Sequence, residues 1–248
     1  MNRPMTLPRF YVNALLPLQT RFELPPDTAH HAGRALRLKA GTRVSLFNGD
    51  GTEVHGPLSF DAKKAWVDLE SAHAPTTELP APVMLVQGLP AGDKMDWIIE
   101  KGVELGLHSI QPIAAQRSVL KLSGERLEKR LRHWEKVMIA ACEQSGRNRL
   151  MPVLAPLSLA DWLVRHPEAA AHAALCDPAA TQAFSDWVDQ QAGPLHFLVG
   201  PEGGWAPDET ALASQHGISG VRFGTRVLRT ETAGLALVSA LSGRKAWV

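Results

Sequence analysis

The stretch of sequence that decides the fold lies near the C-terminus and reads Phe197-Leu198-Val199-Gly200-Pro201-Glu202-Gly203-Gly204-Trp205. It belongs to a short apolar run, residues 195–199, that is too short for a helix and is typical of a strand buried on both faces. Gly200-Pro201 then breaks the strand. Gly203-Gly204 allows positive φ angles or a close approach of the backbone to a ligand. Because Pro207 suits the first turn of a helix, the stretch predicts a strand–loop–helix unit.

A second unit of the same kind follows in Phe223-Gly224-Thr225-Arg226-Val227-Leu228-Arg229-Thr230-Glu231-Thr232-Ala233. We predict a strand over residues 221–223 and an apolar helix over 233–241, with Thr230 or Thr232 as the N-cap. Two such units in tandem place two loops at the carboxyl ends of neighbouring strands, where ligands bind in open α/β sheets. The alternative is that the glycines only form tight turns.

Composition sets wide limits on the protein. The chain has 248 residues, 45% hydrophobic and 21% charged, which is enough for one large domain or two smaller ones with a sizeable core. The net charge of +1 gives no global field that points to nucleic acid or membrane, although a local basic patch is allowed. Cys142 and Cys176 have no motif spacing, which favours a reducing compartment. Pro4, Pro8 and Arg9 interrupt any signal sequence, and no apolar run reaches membrane-spanning length, so we expect a cytoplasmic protein without a membrane partner.

The first part of the chain, residues 9–69, reads as mostly β. Asn48-Gly49-Asp50-Gly51 predicts a tight turn into residues 52–54. One short helix interrupts the strands, from Asp27 as its N-cap to about Leu38. The pattern favours a small barrel-like β domain. Strands are predicted at residues 9–12, 43–47 and 65–69.

The short helix carries two histidines and two arginines. Arg34 and Arg37 are three positions apart and would share a face, so they could grip a phosphate backbone or form a plain solvated face. His30 and His31 have no further ligand at metal spacing, and we predict no metal site.

The pattern changes after residues 71–82, which are proline-rich and read as a linker. A strand at 83–86, a helix capped by Asp93 and a strand at 110–114 form a βαβ unit and imply a parallel sheet. The predicted domains are 1–72 and 83–248, joined by a linker at 73–82. Further helices are predicted at 125–142, 158–164 and 183–190, and a further strand at 173–176.

Three strand ends carry helix- and strand-breaking residues: Asp177-Pro178, Gly200-Pro201 and Gly224. They favour a ligand pocket built largely from backbone groups. No dinucleotide fingerprint, phosphate loop or nucleophile elbow is present in the sequence. The loops instead supply a carboxylate, Glu202, which could accept a proton, and arginines such as Arg229, which could stabilise a developing anion.

The ordered set of motifs resembles the RsmE family, bacterial 16S ribosomal RNA uridine-N3-methyltransferases of the SPOUT (α/β-knot) superfamily. Phe223 and Thr225 depart from the family pattern, which usually has a leucine and often a proline there, and we interpret them as changes of loop shape. The resemblance rests on the two C-terminal stretches quoted above and on Arg9-Phe10-Tyr11-Val12, His30-His31, Leu36-Arg37 with Gly41, Lys94, Glu104-Leu105-Gly106, Arg117-Ser118 and Glu143-Gln144-Ser145-Gly146-Arg147.

The resemblance implies an α/β protein with a C-terminal SPOUT trefoil-knot domain that contains a parallel sheet, preceded by a small PUA-like β-barrel. It implies S-adenosylmethionine as the cofactor and a homodimer whose second subunit completes the RNA site. The apolar last helix would then be buried in the knot or in the dimer interface. The residues that would line the cofactor are Leu175, Leu198, Gly200, Pro201, Gly203, Leu228 and Thr230.

The implied reaction also fits the residue types. Uracil N3 attacks a methyl sulfonium well only as its proton leaves, so we expect Arg229 to stabilise the uracil anion and Glu202 to accept or orient the proton. Glu231 is the rival carboxylate, and Glu202 could instead only bind nearby backbone N–H groups. The residues expected to contact 16S ribosomal RNA in the small ribosomal subunit are Arg9, Arg34, Arg37, Arg117 and Arg147.

Two other functions fit the sequence. The first is a non-catalytic, RNA-binding ribosome assembly factor that uses the same fold as a scaffold. The second is an α/β enzyme that holds a small phosphorylated ligand at the helix that begins with Pro207. Binding of S-adenosylmethionine separates the methyltransferase from both.

Overall fold

The computed structural model describes residues 7–62 and 64–247. The chain forms two compact units, the first from Met1–Thr77 with Cys142–Leu150 and the second from Glu78–Ala141 with Met151–Val248. The prediction had placed Cys142–Leu150 in the second domain and not in the first. The predicted domain boundaries stay predictions. Residues 1–6, 63 and 248 of those domains, including Pro4, lie outside the described residues.

The first unit is a curled β-sheet. Its strands run in the order β1–β3–β4–β5–β2, and β6 pairs with β4. The three predicted strands are present, each within one residue at either end. The sequence analysis missed β2, because a strand of three residues shows no alternation. It also placed residues 71–82 in a linker, whereas residues 71–73 form β6 and pair with β4. The strands are β1 (Arg9–Tyr11), β2 (Arg21–Glu23), β3 (Arg43–Phe47), β4 (Glu53–Asp61), β5 (Lys64–Asp68) and β6 (Ser71–His73).

Strand β4 joins the two parts of the sheet in the first unit. Residues 53–57 of β4 pair with β3, and residues 58–61 pair with β5. Gly56 lies at the changeover, where a Cβ atom would come within 1.8 Å of the carbonyl oxygen of Asp68. Only glycine permits that approach. The strands enclose an apolar core that includes Phe10, Leu46, Leu58 and Val67.

The helix of the first unit is shorter than predicted. It consists of α1 (Pro26–His30) and a π-helical segment, His31–Ala35. Because Pro26 takes the first helical position, Asp27 lies in the first turn and is not the N-cap. The chain then leaves the helix, and Arg37 has a left-handed φ of 52°. The prediction that Arg34 and Arg37 share a helix face is therefore wrong.

The second unit is an α/β domain built on a parallel sheet, as predicted. The strands run in the order β11–β9–β10–β7–β8, and each neighbouring pair is parallel. The helix α3 begins in this unit, and its last residues belong to the first. The elements are β7 (Val83–Gly88), α2 (Lys94–Glu104), β8 (Ser109–Ile113), α3 (Gly124–Ser145), α4 (Leu159–Arg165), β9 (Ala173–Cys176), α5 (Phe184–Asp189), β10 (Leu195–Val199), α6 (Pro207–Gln215), β11 (Ser219–Val221) and α7 (Thr230–Arg244).

Several element ends differ from the prediction. β11 ends at Val221, so Phe223 lies in the following loop. Arg229 occupies the N-cap position of α7, so neither Thr230 nor Thr232 caps it. The reason is that the hydroxyl of Thr230 is used elsewhere: it donates to a backbone carbonyl in another loop. Pro207 opens α6 as expected.

Helix α7 is anchored on the sheet. Leu237, Val238 and Leu241 are fully buried. At Gly234 a Cβ atom would lie 2.7 Å from the side chain of Leu85 in β7, so the helix packs closely on that strand. This packing fixes the first turn of α7 beside the carboxyl ends of the strands. The predicted knot and dimer interface around this helix stay predictions.

Among residues 7–62 and 64–247, no helix has both the length and the apolar character that a membrane span requires.

Candidate active site

A cavity of about 790 Å³ opens at the carboxyl ends of the parallel strands. The loops that follow β9, β10 and β11 all contribute to its wall, together with the first turn of α7. The three breaker-bearing loops identified in the sequence therefore meet in one cavity. The wall includes Leu175, Asp177, Pro178, Val199, Gly200, Pro201, Glu202, Trp205, Arg222, Arg226, Leu228, Arg229, Thr230 and Glu231.

Most of the residues expected to hold a cofactor lie in this wall. Leu175, Gly200, Pro201, Leu228 and Thr230 line the cavity. Two others lie elsewhere. The side chain of Leu198 is fully buried within β10. Gly203 stands back from the wall, and its carbonyl oxygen accepts a hydrogen bond of 2.9 Å from Arg117.

Buried hydrogen bonds fix the loop after β10. The hydroxyl of Thr230 donates to the carbonyl oxygen of Gly200 at 2.6 Å, and it accepts a hydrogen bond of 2.9 Å from the amide of Gln87. A Cβ atom at Gly88 would lie 2.5 Å from Pro201, so β7 and this loop are in close contact. Sequence reasoning missed Gln87, although a polar residue inside an apolar strand was a usable signal.

Lys94 connects the two carboxylates of the site. Its ammonium lies 2.7 Å from Oε1 of Glu202 and 3.5 Å from Oε2 of Glu231. The backbone N–H of Ala91 donates to Glu202 at 3.1 Å. Burial raises the pKa of Glu202, but the hydrogen bond from Lys94 and the neighbouring N–H groups outweigh burial and hold that pKa below its ordinary range. At neutral pH Glu202 is therefore ionised, and its carboxylate accepts hydrogen bonds from Lys94 and Ala91.

Arg229 is an exposed arginine that lines the cavity, as are Arg222 and Arg226. Its side chain is 82% exposed, and one guanidinium nitrogen lies 3.9 Å from Oε1 of Glu231. The ion pair is weak at this distance in solvent and leaves the guanidinium exposed. The guanidinium thus remains available to an anionic or electron-rich group that enters the cavity.

Cys176 lines the cavity but is unsuited to nucleophilic catalysis. Burial, with a smaller contribution from the charge of Asp177, raises the pKa of the Cys176 thiol to about 11. The thiol is therefore protonated at neutral pH, and the thiolate is the reactive form. Within the described part of the chain, no three histidine, cysteine, aspartate or glutamate side chains are grouped so that they could hold a metal ion.

Two of the five arginines expected to bind RNA lie inside the first unit. Arg9 forms a salt bridge with Glu53, and both side chains are only 11% exposed. Arg9 also donates to the side chain of Asn148 and lies over the ring of Phe47, 5.0 Å from its centroid. Arg147 is 3% exposed. In this structure both arginines are enclosed, so their charges are not presented to a phosphate backbone.

The other three predicted RNA contacts are exposed. Arg34 and Arg37 lie on the surface of the first unit, and Arg117 lies on the surface of the second. Arg117 does not line the cavity, but it donates to the carbonyl oxygen of Gly203 in the loop after β10.

Comparison with known proteins shows the family. Residues 77–242 match a family described as RNA methyltransferase domain, and residues 24–70 match one described as RNA methyltransferase PUA domain. A ribosomal RNA small subunit methyltransferase E from Bacillus subtilis is 34% identical over 230 residues, which cover 89% of each chain. The chain belongs to the ribosomal RNA small subunit methyltransferase E family. The fold is accordingly a SPOUT methyltransferase domain preceded by a PUA domain, as predicted.

Solved structures share the fold over nearly the whole chain. The ribosomal RNA small subunit methyltransferase E of Neisseria gonorrhoeae, solved with S-adenosylmethionine, is 33% identical, has a TM-score of 0.88, and is matched over 96% of this chain and 98% of its own. A Legionella pneumophila protein solved with the same cofactor is 31% identical with a TM-score of 0.89, over 96% of this chain and 98% of its own. The chain is thus an enzyme of the methyltransferase class.

Proposed function

We propose that this protein transfers a methyl group from S-adenosylmethionine to N3 of a uridine in the 16S ribosomal RNA of the small ribosomal subunit. The single observation that carries the proposal is the cavity formed by three strand-end loops with an accessible arginine, Arg229, at its rim. Family membership supports the reaction and the class of RNA. The choice of N3 rests on the resemblance of the two C-terminal stretches to the uridine-N3 enzymes.

The cavity fits the proposed cofactor. Its volume of about 790 Å³ is in the range of small-molecule sites. Its wall combines apolar side chains such as Leu175 and Leu228 with exposed backbone groups of the loops, which suits a ligand that has both a flat apolar base and a charged end. When bound, S-adenosylmethionine supplies the electrophilic methyl group. We propose that Leu175, Gly200, Pro201, Leu228 and Thr230 hold it, with Leu198 and Gly203 supporting the wall from behind.

Arg229 is the residue that we propose for catalysis. Uracil N3 becomes a good nucleophile when its proton leaves, because the negative charge then spreads over N3 and the flanking carbonyl oxygens. A guanidinium beside those atoms stabilises that charge as it develops. In this scheme the proton passes to water, and the placing of the two reactants supplies much of the remaining acceleration.

We propose that Glu202 orients the N3 proton of uracil and does not accept it. Its carboxylate already accepts hydrogen bonds from Lys94 and from the N–H of Ala91. Since its pKa is lowered, it is a weak base at neutral pH. Glu231, 3.9 Å from Arg229, then biases the direction of the guanidinium without fixing it.

For the RNA we propose contacts from Arg34, Arg37 and Arg117, which are exposed cations. We further propose a homodimer in which the second subunit completes the RNA site, as the resemblance implies. A ribosomal substrate would place the reaction in the cytoplasm.

The proposal is tested by methyl transfer from labelled S-adenosylmethionine to small ribosomal subunits isolated from cells that lack this gene, with the product nucleoside mapped by mass spectrometry. We expect a single 3-methyluridine in 16S RNA. Cofactor binding with methylation of a different RNA or a different atom would contradict the substrate. RNA binding without any methyl incorporation would favour a non-catalytic assembly factor.

A further inference from the structure

Lys94 meets both carboxylates of the candidate site and has no assigned role in the reaction proposed above. It is the first residue of α2, whereas Glu202 lies in the loop after β10 and Glu231 in the first turn of α7. One ammonium group therefore joins three separate segments of the second unit, at 2.7 Å and 3.5 Å from the two carboxylates. These are the segments that build the cavity wall and present Arg229.

We propose that Lys94 is a positioning residue: its charge holds Glu202 and Glu231 together and so sets the spacing between the cofactor loop and Arg229. The inference deepens the proposed function and rests on it. Without the ammonium, two carboxylates whose oxygens now lie within 3.5 Å of one nitrogen would face each other. Like charges that close repel, and the repulsion drives the two segments apart.

The displacement would reach both reactants through neighbouring residues. Glu202 directly follows Pro201, which lines the cavity. Glu231 directly follows Thr230, whose hydroxyl donates to the Gly200 carbonyl, and both belong to α7, the helix that packs on the sheet. Because a misplacement of about 1 Å can lower a rate by about a hundredfold, a small opening is enough to matter.

Other charges near the pair do not replace Lys94. Arg229 is 3.9 Å from Glu231 and is mostly in solvent, where it is screened. The remaining charged groups that line the cavity or lie at the start of α2 are Asp177, Arg222, Arg226, Asp93 and Asp96, with Arg130 and His133 bound to the last two.

The same helix offers a matched control. Lys101 also bridges two glutamates, Glu100 at 2.8 Å and Glu104 at 2.7 Å, and its side chain is as exposed as that of Lys94, 32% against 33%. It does not line the cavity. Lys101→Met therefore removes a lysine that bridges two glutamates within α2, without touching the site or joining separate segments.

The experiment compares Lys94→Met, Lys94→Arg and Lys101→Met for methyl transfer, for S-adenosylmethionine affinity by calorimetry and for thermal stability. We expect Lys94→Met to lower kcat at least about tenfold while its Tm matches that of Lys101→Met, and Lys94→Arg to restore most of the loss. The decisive readout is pH. In Lys94→Met the two carboxylates repel in full once both are ionised and less at acid pH, so the activity of this variant relative to wild type falls as the pH rises from about 5 to about 7.

Wild-type activity in Lys94→Met, or a loss of the same size in Lys101→Met, would overturn the proposal. A loss in Lys94→Met that is the same at every pH would also overturn it, because a lost structural contact has no reason to follow the ionisation of the pair. If the wild-type protein does not methylate small-subunit RNA, the proposed function fails instead. In that case the pH dependence of S-adenosylmethionine affinity in the same three variants still decides whether Lys94 positions the cofactor loop.

Discussion

The hydroxyl of Thr230 donates to the carbonyl oxygen of Gly200 at 2.6 Å and joins the first turn of α7 to the loop after β10. A threonine hydroxyl has one proton, and here that proton is committed to Gly200. The amide of Gln87 donates to the same oxygen at 2.9 Å and so fixes the direction of the donation. The hydroxyl of Thr230 therefore shapes the cavity through Gly200 and has no proton left to donate to a ligand.

We expect Thr230→Val to weaken S-adenosylmethionine binding about tenfold, because the Gly200 carbonyl and the Gln87 amide both lose a buried partner. Thr230→Ser keeps the hydroxyl and should stay close to wild type. Calorimetric titration measures both. Ser239→Ala is the control, since it removes a hydroxyl that donates at 2.9 Å to Leu235 in the same helix, outside the cavity wall. An equal loss in Ser239→Ala would show that general stability of α7 is responsible.

Arg229→Gln should lower kcat about a hundredfold or more and leave S-adenosylmethionine affinity within about twofold, since the guanidinium is proposed to act on the charge that develops on uracil. Single-turnover methyl transfer with saturating cofactor measures the effect. Arg226→Gln is the matched control, because Arg226 is an exposed arginine of the same loop that also lines the cavity. Equal losses in the two variants would mean that the loop supplies only general positive charge.

The sequence predicts those elements whose limits are encoded locally. β9 and β10 are continuous apolar runs that end at Asp177-Pro178 and Gly200-Pro201, and their bounds were predicted to the residue. β2 is three residues long and carries no such signal. The helix end near Arg37 depends on a left-handed residue that is not a glycine, which few patterns anticipate.

The candidate site could be predicted only in outline. The breaker-bearing loops marked the cavity, but the bonds that shape it join residues far apart in the chain: Gln87 and Thr230 are separated by 143 positions. The burial of Arg9 likewise depends on Glu53, 44 positions away. A charged residue is expected at the surface until its partner is known.

Glu202→Gln should retain methyl transfer within about tenfold, because loss of a general base costs about a hundredfold or more. The glutamine oxygen can still accept hydrogen bonds from Lys94 and Ala91. A stopped-time assay at saturating substrates measures this, and a loss above about a hundredfold would restore Glu202 as the base. Because the pKa of Glu202 is lowered in the folded protein, its carboxylate should add to the free energy of unfolding relative to Glu202→Gln at pH values above 4.5, the ordinary pKa of a glutamate. This contribution should be lost as the pH falls through the lowered pKa of the folded protein.

The arginines of the first unit should separate into two classes. Arg34→Ala with Arg37→Ala should weaken RNA binding, reduce the slope of log affinity against log salt by about 1.5, and leave Tm unchanged. Arg9→Met should instead destabilise the protein by about 3 kcal/mol, because Glu53 stays buried and loses its arginine, keeping His55 and Ser45 as side-chain partners. Filter binding over a salt series and thermal unfolding measure the two effects. An unchanged salt slope in the Arg34/Arg37 double variant would remove both residues from the RNA site.

His196 on β10 should make the stability of the protein depend on pH. It packs edge-on against Trp162, with ring centroids 5.8 Å apart, and His166 lies nearby. Burial, together with the charge of His166, lowers the pKa of His196 to about 4 from an ordinary 6.5. In the unfolded chain His196 binds a proton below about pH 6.5, whereas in the folded protein it does so only below about pH 4. The free energy of unfolding therefore decreases as the pH falls from about 6.5 to about 4.

At pH 5 this linkage amounts to about 2 kcal/mol, and His196→Leu should abolish that part of the pH dependence. Urea unfolding of both proteins at about pH 7.5 and about pH 5 measures the difference, with the pH 7.5 value correcting for altered packing against Trp162. If the two proteins lose the same stability between these pH values, the His196 ring is already protonated in the folded state at pH 5, and its burial does not exclude the charge.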